Sequence, residues 1–178
     1  EFFVPWVVNT QITWDAYAQR VRASDGALMG PNITIGNSSL TEFPGGVAYD
    51  SDWNRYLVIC DGEPSSPWVQ FISASGDLIG SRIPVGSEYY HGGMSGIAWS
   101  PVTKEYLATW AHCCSAGNFA RRISQTGTLI AEPFRTNGHV EGFGNWDPLP
   151  AANTVNGEFL IEWFWQYDDV YVRRYKSY

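Results

Sequence analysis

The apolar positions of this chain come in short runs, rich in aromatic and β-branched residues and bounded by Gly, Pro, Asn and Asp. That pattern predicts strands, not helices. In the middle of the chain the runs fall at Val47 to Asp50, Arg55 to Cys60, Pro67 to Ser73 and Ser81 to Val85. They return at Ile97 to Trp99, Glu105 to Trp110, Asn118 to Ser124 and Pro133 to Thr136. Asp25-Gly26 and Ser75-Gly76 supply the positive φ that tight hairpins between such strands need.

One run occurs four times, as Tyr17-Ala18-Gln19-Arg20-Val21, Trp68-Val69-Gln70-Phe71-Ile72, Phe119-Ala120-Arg121-Arg122-Ile123 and Tyr171-Val172-Arg173-Arg174-Tyr175. The spacings from 17 to 68, 119 and 171 are 51, 51 and 52. Upstream of each copy a second run aligns without gaps: Phe2 to Trp6, Tyr56 to Cys60, Tyr106 to Trp110 and Phe159 to Trp163. A turn followed by an apolar pair follows three of the copies, at Ser24 to Gly30, Ser75 to Gly80 and Thr126 to Ile130. Elements recurring in one order at one period define a repeat architecture. The repeats cover roughly residues 1–43, 44–93, 94–142 and 143–178 of a single domain.

Four short strands in about 50 residues, repeated, are what a β-propeller blade requires. The motifs Ala48-Tyr49-Asp50, Tyr56-Leu57-Val58 and Phe71-Ile72-Ser73-Ala74-Ser75-Gly76 resemble those of secreted β-propeller proteins, in which an aromatic-Asp turn leads to a Tyr-Leu-Val strand and an Arg-Val/Ile-Ser-x-x-Gly hairpin. The resemblance spans nearly the whole chain and implies an all-β propeller of about four antiparallel blades. Fourteen strands are expected, with the first blade lacking its innermost strand and the last its outermost. Ring closure between the two ends, or their pairing with other subunits in a fibre, would cover the resulting edges.

Composition narrows the function. The net charge is −7 and the pI about 4.8, which leaves no basic stripe for nucleic acid. No apolar run is long enough to span a membrane as a helix. No Ser/His/Asp signature, G-x-S-x-G or P-loop is present, and no set of carboxylates is singled out for glycoside hydrolysis. The expected role is an extracellular, non-enzymatic structural or interaction module with protein partners and no cofactor. A sugar-binding module and a propeller hydrolase are the alternatives.

Candidate side chains follow from the repeat phase. His91 and His139 occupy equivalent loop positions before Gly96 and Gly144, and His112 lies in a loop at the same end of the strands, so the three could share a ligand site. Trp14, Trp53, Trp146 and Trp165 fall at strand ends or loops, where an indole can stack on a sugar. Trp6, Trp110 and Trp163 share a repeat column and are expected in the core. Asp168-Asp169 read as a solvated acidic pair. Asp50-Ser51-Asp52-Trp53-Asn54 has calcium-loop spacing but lacks the following Gly and the closing Glu, and reads as a polar hairpin turn. Cys60 is expected to bridge neighbouring blades by a disulfide to Cys113 or Cys114. Asn32-Ile33-Thr34 and Asn37-Ser38-Ser39 are glycosylation sequons on an expected surface loop.

Overall fold

The computed structural model describes residues 1–63, 65–86, 95–112, 117–136, 145–165 and 169–176, and these form fourteen strands in four antiparallel sheets. The first sheet holds β1 (Phe2–Asn9), β2 (Trp14–Val21) and β3 (Leu28–Gly36). The second holds β4 (Thr41–Asp50), β5 (Arg55–Glu63), β6 (Ser65–Ser73) and β7 (Leu78–Pro84). The third holds β8 (Gly96–Ser100), β9 (Glu105–His112), β10 (Gly117–Ser124) and β11 (Leu129–Arg135). The fourth holds β12 (Asn145–Ala152), β13 (Phe159–Trp165) and β14 (Asp169–Tyr175). Each sheet is a meander in chain order, and the recurring run supplies β2, β6, β10 and β14.

The register explains why that run recurs. Its leading aromatic lies directly opposite the Trp column, and the rings stack: Trp6 on Tyr17, Trp110 on Phe119 and Trp163 on Tyr171, at 6.2, 6.1 and 6.0 Å between centroids. Its middle polar residue sits at a β-bulge in each of the first three sheets. There Gln19 donates to the carbonyls of Met29 and Gly30, Gln70 to those of Ile79 and Gly80, and Arg121 to that of Ala131. Gly30, Gly80 and Ala131 all have positive φ, so one side chain satisfies the carbonyls that the bulge removes from the ladder.

Successive sheets pack face to face along the chain, with β4 on β1 and β2, β8 on β4 and β5, and β12 on β8 and β9. Strand parity divides each sheet into a forward and a backward face. Phe3, Ala16 and Ala18 face forward onto Tyr56, Val58 and Cys60 of the second sheet. Leu57, Ile59 and Val69 face forward onto Tyr106, Ala108 and Trp110 of the third. Leu107 and Ala120 face forward onto Phe159, Ile161 and Trp163 of the fourth. The two middle sheets are thus covered on both faces, which is why Tyr56 to Cys60 is an unbroken apolar run.

Among the described residues the outer faces of the end sheets remain open, and no strand of the first sheet pairs with one of the fourth. Phe2 and Val4 are 59% and 45% exposed, and Leu160 is 47% exposed, while their counterparts in the other repeats are buried. Every internal interface uses the first strand of the later sheet, β4, β8 or β12, and the first sheet has no such strand to lay against the fourth.

Parity also bears on the expectation for Cys60. It is a free thiol, fully buried and turned toward the first sheet, away from the third where Cys113 and Cys114 follow β9. Burial, with Asp61 and Glu42 adding to it, pushes its pKa well up and keeps the thiol protonated. Cys113 and Cys114 lie outside the described residues.

Strand β4 runs several residues further toward its N-terminus than the apolar run around Val47. A bulge between Pro44 and Val47 carries Gly45 and Gly46 against the backbone before β8. A Cβ on Gly45 would lie 2.3 Å from Ser95 Oγ, and one on Gly46 2.9 Å from the Ile97 amide nitrogen. The third and fourth sheets meet as closely at Gly96, where a Cβ would lie 2.4 Å from Pro150 Cδ and 3.1 Å from the Pro148 carbonyl. Gly96→Ala is therefore expected to cost about 1–3 kcal/mol by forcing two packed strands apart. Urea denaturation checks this, and an unchanged midpoint would show that the interface gives way freely.

Candidate functional site

Charged side chains in this fold mostly hold sheets together. Asp50, at the end of β4, is fully buried and accepts five different donors. These are the amides of Asp52 and Trp53, Arg55 Nε at 3.3 Å, Tyr106 Oη at 2.9 Å and Gln125 Nε2 at 3.2 Å. The last two belong to the third sheet and its turn, so one carboxylate ties a hairpin cap to the next sheet. Arg55 lies between the rings of Trp53 and Phe71, 4.3 and 4.0 Å from their centroids.

Three further guanidinium groups make one repeated tie. Arg82 donates to the Ile35 carbonyl, Arg121 to Val85 and Arg173 to Thr136, at 3.4, 3.1 and 2.9 Å. Each acceptor lies at the end of the preceding sheet's outer strand or just beyond it. Arg82 also pairs with Glu42, which is buried, and lies 4.1 Å over Trp68. Within sheets a second pairing recurs at equivalent positions: Glu1 with Arg20, Glu105 with Arg122 and Glu158 with Arg174. The second sheet replaces it with Arg55 over Phe71.

A cleft of about 670 Å³ opens between the first and second sheets, at the end of the strands where the β4–β5 and β6–β7 turns lie. Glu1, Arg20, Tyr49, Asn54 and Tyr56 are among its lining residues. Glu1 receives two bonds from Arg20, at 3.3 and 3.0 Å, and one from Tyr56 Oη at 2.9 Å. The Arg20 hydrogen bonds hold this carboxyl below the usual carboxylate range, and burial and the Glu1 carboxylate push the Tyr56 phenol up. Tyr49 is exposed and donates to Asn54 Oδ1 at 2.8 Å.

Another buried acid lies on β5. Asp61 is 4% exposed, and among the described residues neither its Oδ1 nor Ser95 Oγ has a hydrogen-bond partner of good geometry. Burial pushes its pKa up to about 7, with the nearby Ser95 hydroxyl pulling the other way.

Those of the expected ligand residues that are described lie on several different elements. Trp14 begins β2 and tilts against Phe43, while Trp53 sits in the β4–β5 turn at the opposite end of the strands. Trp146 pairs with Phe164 in the β12–β13 ladder and Trp165 ends β13. His112 is the last residue of β9 and pairs with Gly117. His91, His139 and Asp168 lie outside the described residues, and Asp169 begins β14. The carboxylates of the calcium-like turn are engaged by cations of the protein, Asp50 by Arg55 and Asp52 by Lys104. Asn32 and Asn37 are both exposed, the first on the outer strand β3 and the second just after it.

No protein-family model matches the chain, and no curated protein is detectably similar to it. Among the described residues, the outer faces of the two end sheets carry exposed apolar side chains. Phe2, Val4 and Val8 line one, and Leu160, Phe164 and Val172 line the other. Sequence reasoning marked these strands through their strand-forming residues. It did not show which face stays open, because the second-strand run, as in Tyr56 to Cys60, is apolar on both faces.

Proposed function

We propose that this chain is an extracellular, propeller-type array of blades that acts by binding and assembly, without catalysis. The observation that carries the reading is the pair of open apolar faces on the end sheets, where Phe2, Val4, Leu160 and Val172 stand at positions buried in every other repeat. An apolar surface of that kind marks an interaction site on a folded protein. The charged residues support the same view, since Asp50, Glu42 and Glu105 are engaged in holding strands and sheets in place. A hydrolase would need two placed carboxyl groups. The cleft at Tyr56 presents a single carboxylate, already in an ion pair with Arg20.

A glycan-binding reading takes its support from that cleft, where exposed Tyr49 stands beside the Asn54 amide. Titration calorimetry with oligosaccharides, comparing the native chain with Tyr49→Ala, separates this role from the first.

The assembly reading is tested on the protein in its native material. Carbene footprinting should find Phe2, Val4, Leu160 and Phe164 protected there and labelled in the dissociated chain. Deleting Val170 to Tyr178 should reduce particle size in electron microscopy and light scattering while the first three sheets stay folded. A folded truncated protein with an unchanged assembly state, or end faces that label equally in both settings, would overturn the reading.

A further inference from the structure

We propose that the occupant of these end faces is a second copy of this chain, docked head to tail so that the first sheet of one copy covers the fourth sheet of the next. The inference rests on the module reading above and adds the partner and the mode of docking.

The argument comes from the three interfaces already formed inside the chain. In each, the forward face of one sheet meets the backward face of the next. The backward column is Tyr56 and Val58 in the second sheet, Tyr106 and Ala108 in the third, and Phe159 and Ile161 in the fourth, all at most 6% exposed. Its first-sheet members are Phe2 and Val4, and these are open. The forward column runs through Phe3, Leu57 and Leu107, all buried, and its fourth-sheet member Leu160 is open. On the neighbouring strand Ala18, Val69 and Ala120 are fully buried, and their counterpart Val172 is open. The chain therefore presents the apolar columns of its own repeated interface at each end, the first sheet without the leading strand that β4, β8 and β12 supply inside the chain. A contact between unlike halves is heterologous, and copies joined this way extend into a filament or close into a ring.

The polar details fit. Where the backward column carries Tyr, the preceding sheet supplies a carboxylate for its hydroxyl: Glu1 for Tyr56 and Asp50 for Tyr106. Where the column carries Phe159, the preceding sheet has Ser100 at the position of Asp50. The open backward face carries Phe2, which has no hydroxyl, and the fourth sheet has Asn153 at that position, whose Oδ1 already caps the amides of Val155 and Asn156 in its own turn.

The test uses the full chain with Val4→Glu, Leu160→Glu and, as a control, Ile12→Glu, which lies in the exposed β1–β2 turn. Circular dichroism confirms that each variant folds, as expected for exposed positions. In sedimentation velocity the wild-type chain should assemble with concentration, and each end-face variant should associate at least about tenfold more weakly, because a charge is buried at the contact. The control should behave as wild type. An equimolar mixture of Val4→Glu and Leu160→Glu should stop at dimers, since each variant keeps one intact face. A wild-type chain that stays monomeric, a mixture that stays monomeric beside an assembling wild type, or a control as impaired as Val4→Glu would overturn head-to-tail docking. End faces protected in native material beside any of these results would leave the module reading standing with a different partner.

Discussion

Replacing Asp61 by Asn is expected to stabilise the protein at pH 8 and to leave it nearly unchanged at pH 4. Asp61 is buried on β5, where desolvation raises its pKa from 3.8 to about 7. A carboxyl group whose pKa is higher in the folded than in the unfolded state binds its proton more tightly when folded. Below about pH 4 both states are protonated, and its contribution to stability is fully present. As pH rises through 7 the folded state must either hold a proton that the unfolded state has released or bury a charge, and that contribution is lost. A shift of about three pKa units corresponds to on the order of 4 kcal/mol at pH 8. Asn keeps the shape and removes the ionisation, and its amide can donate to Ser95 Oγ. Urea denaturation of both proteins at pH 4, 6 and 8 should show the wild type losing stability across the series and Asp61→Asn losing less. Parallel profiles would mean that Asp61 is solvated or finds a partner, and that its burial carries no proton linkage.

The strand order was legible because the repeat states it four times. Three recurring elements place eleven of the fourteen strands, and with the leading strands β4, β8 and β12 the sheets group three, four, four and three. What the repeat does not encode is which way a fully apolar strand faces. Cys60 ends a run in which every residue is apolar, so parity alone decides that it turns to the first sheet. The bulge at Pro44 to Val47 was hidden for a related reason. Pro44, Gly45 and Gly46 are poor strand formers, and they stay in the ladder because the chain before β8 needs room there. The polar ties did leave a signal in the sequence. Glu1, Glu105 and Glu158 share one column, and Arg20, Arg122 and Arg174 share another. Aligning the repeats for charge as well as for aromatic residues exposes that pairing and its replacement by Arg55 and Phe71. The calcium-like spacing around Asp50 had a different meaning. It records a carboxylate that caps its own turn and reaches into the next sheet.

That carboxylate carries the largest expected loss. Asp50→Ala should destabilise the protein by about 3–5 kcal/mol, because it removes one partner from a buried charge pair and leaves the other unpaired. Arg55 would remain 8% exposed between two aromatic rings with its ion-pair partner gone. The Tyr106 hydroxyl would lose its acceptor within the core, and the amides of Asp52 and Trp53 would lose their cap. Burial and the Asp50 carboxylate together push the Tyr106 phenol well above its usual pKa, which marks how closely the two groups are joined. Tyr106→Phe removes only one donor, leaves Asp50 with four, and should cost about 0.5–1.5 kcal/mol. The double variant separates the two roles. If Asp50 acts on the third sheet through Tyr106, the combined loss should fall short of the sum by about 1 kcal/mol, as coupled neighbours do. Amide exchange locates the damage: protection should fall at the β4–β5 turn and across the β5–β9 interface together. A loss confined to the turn, with β9 still fully protected, would show that the hydrogen bond to Tyr106 does not join the sheets.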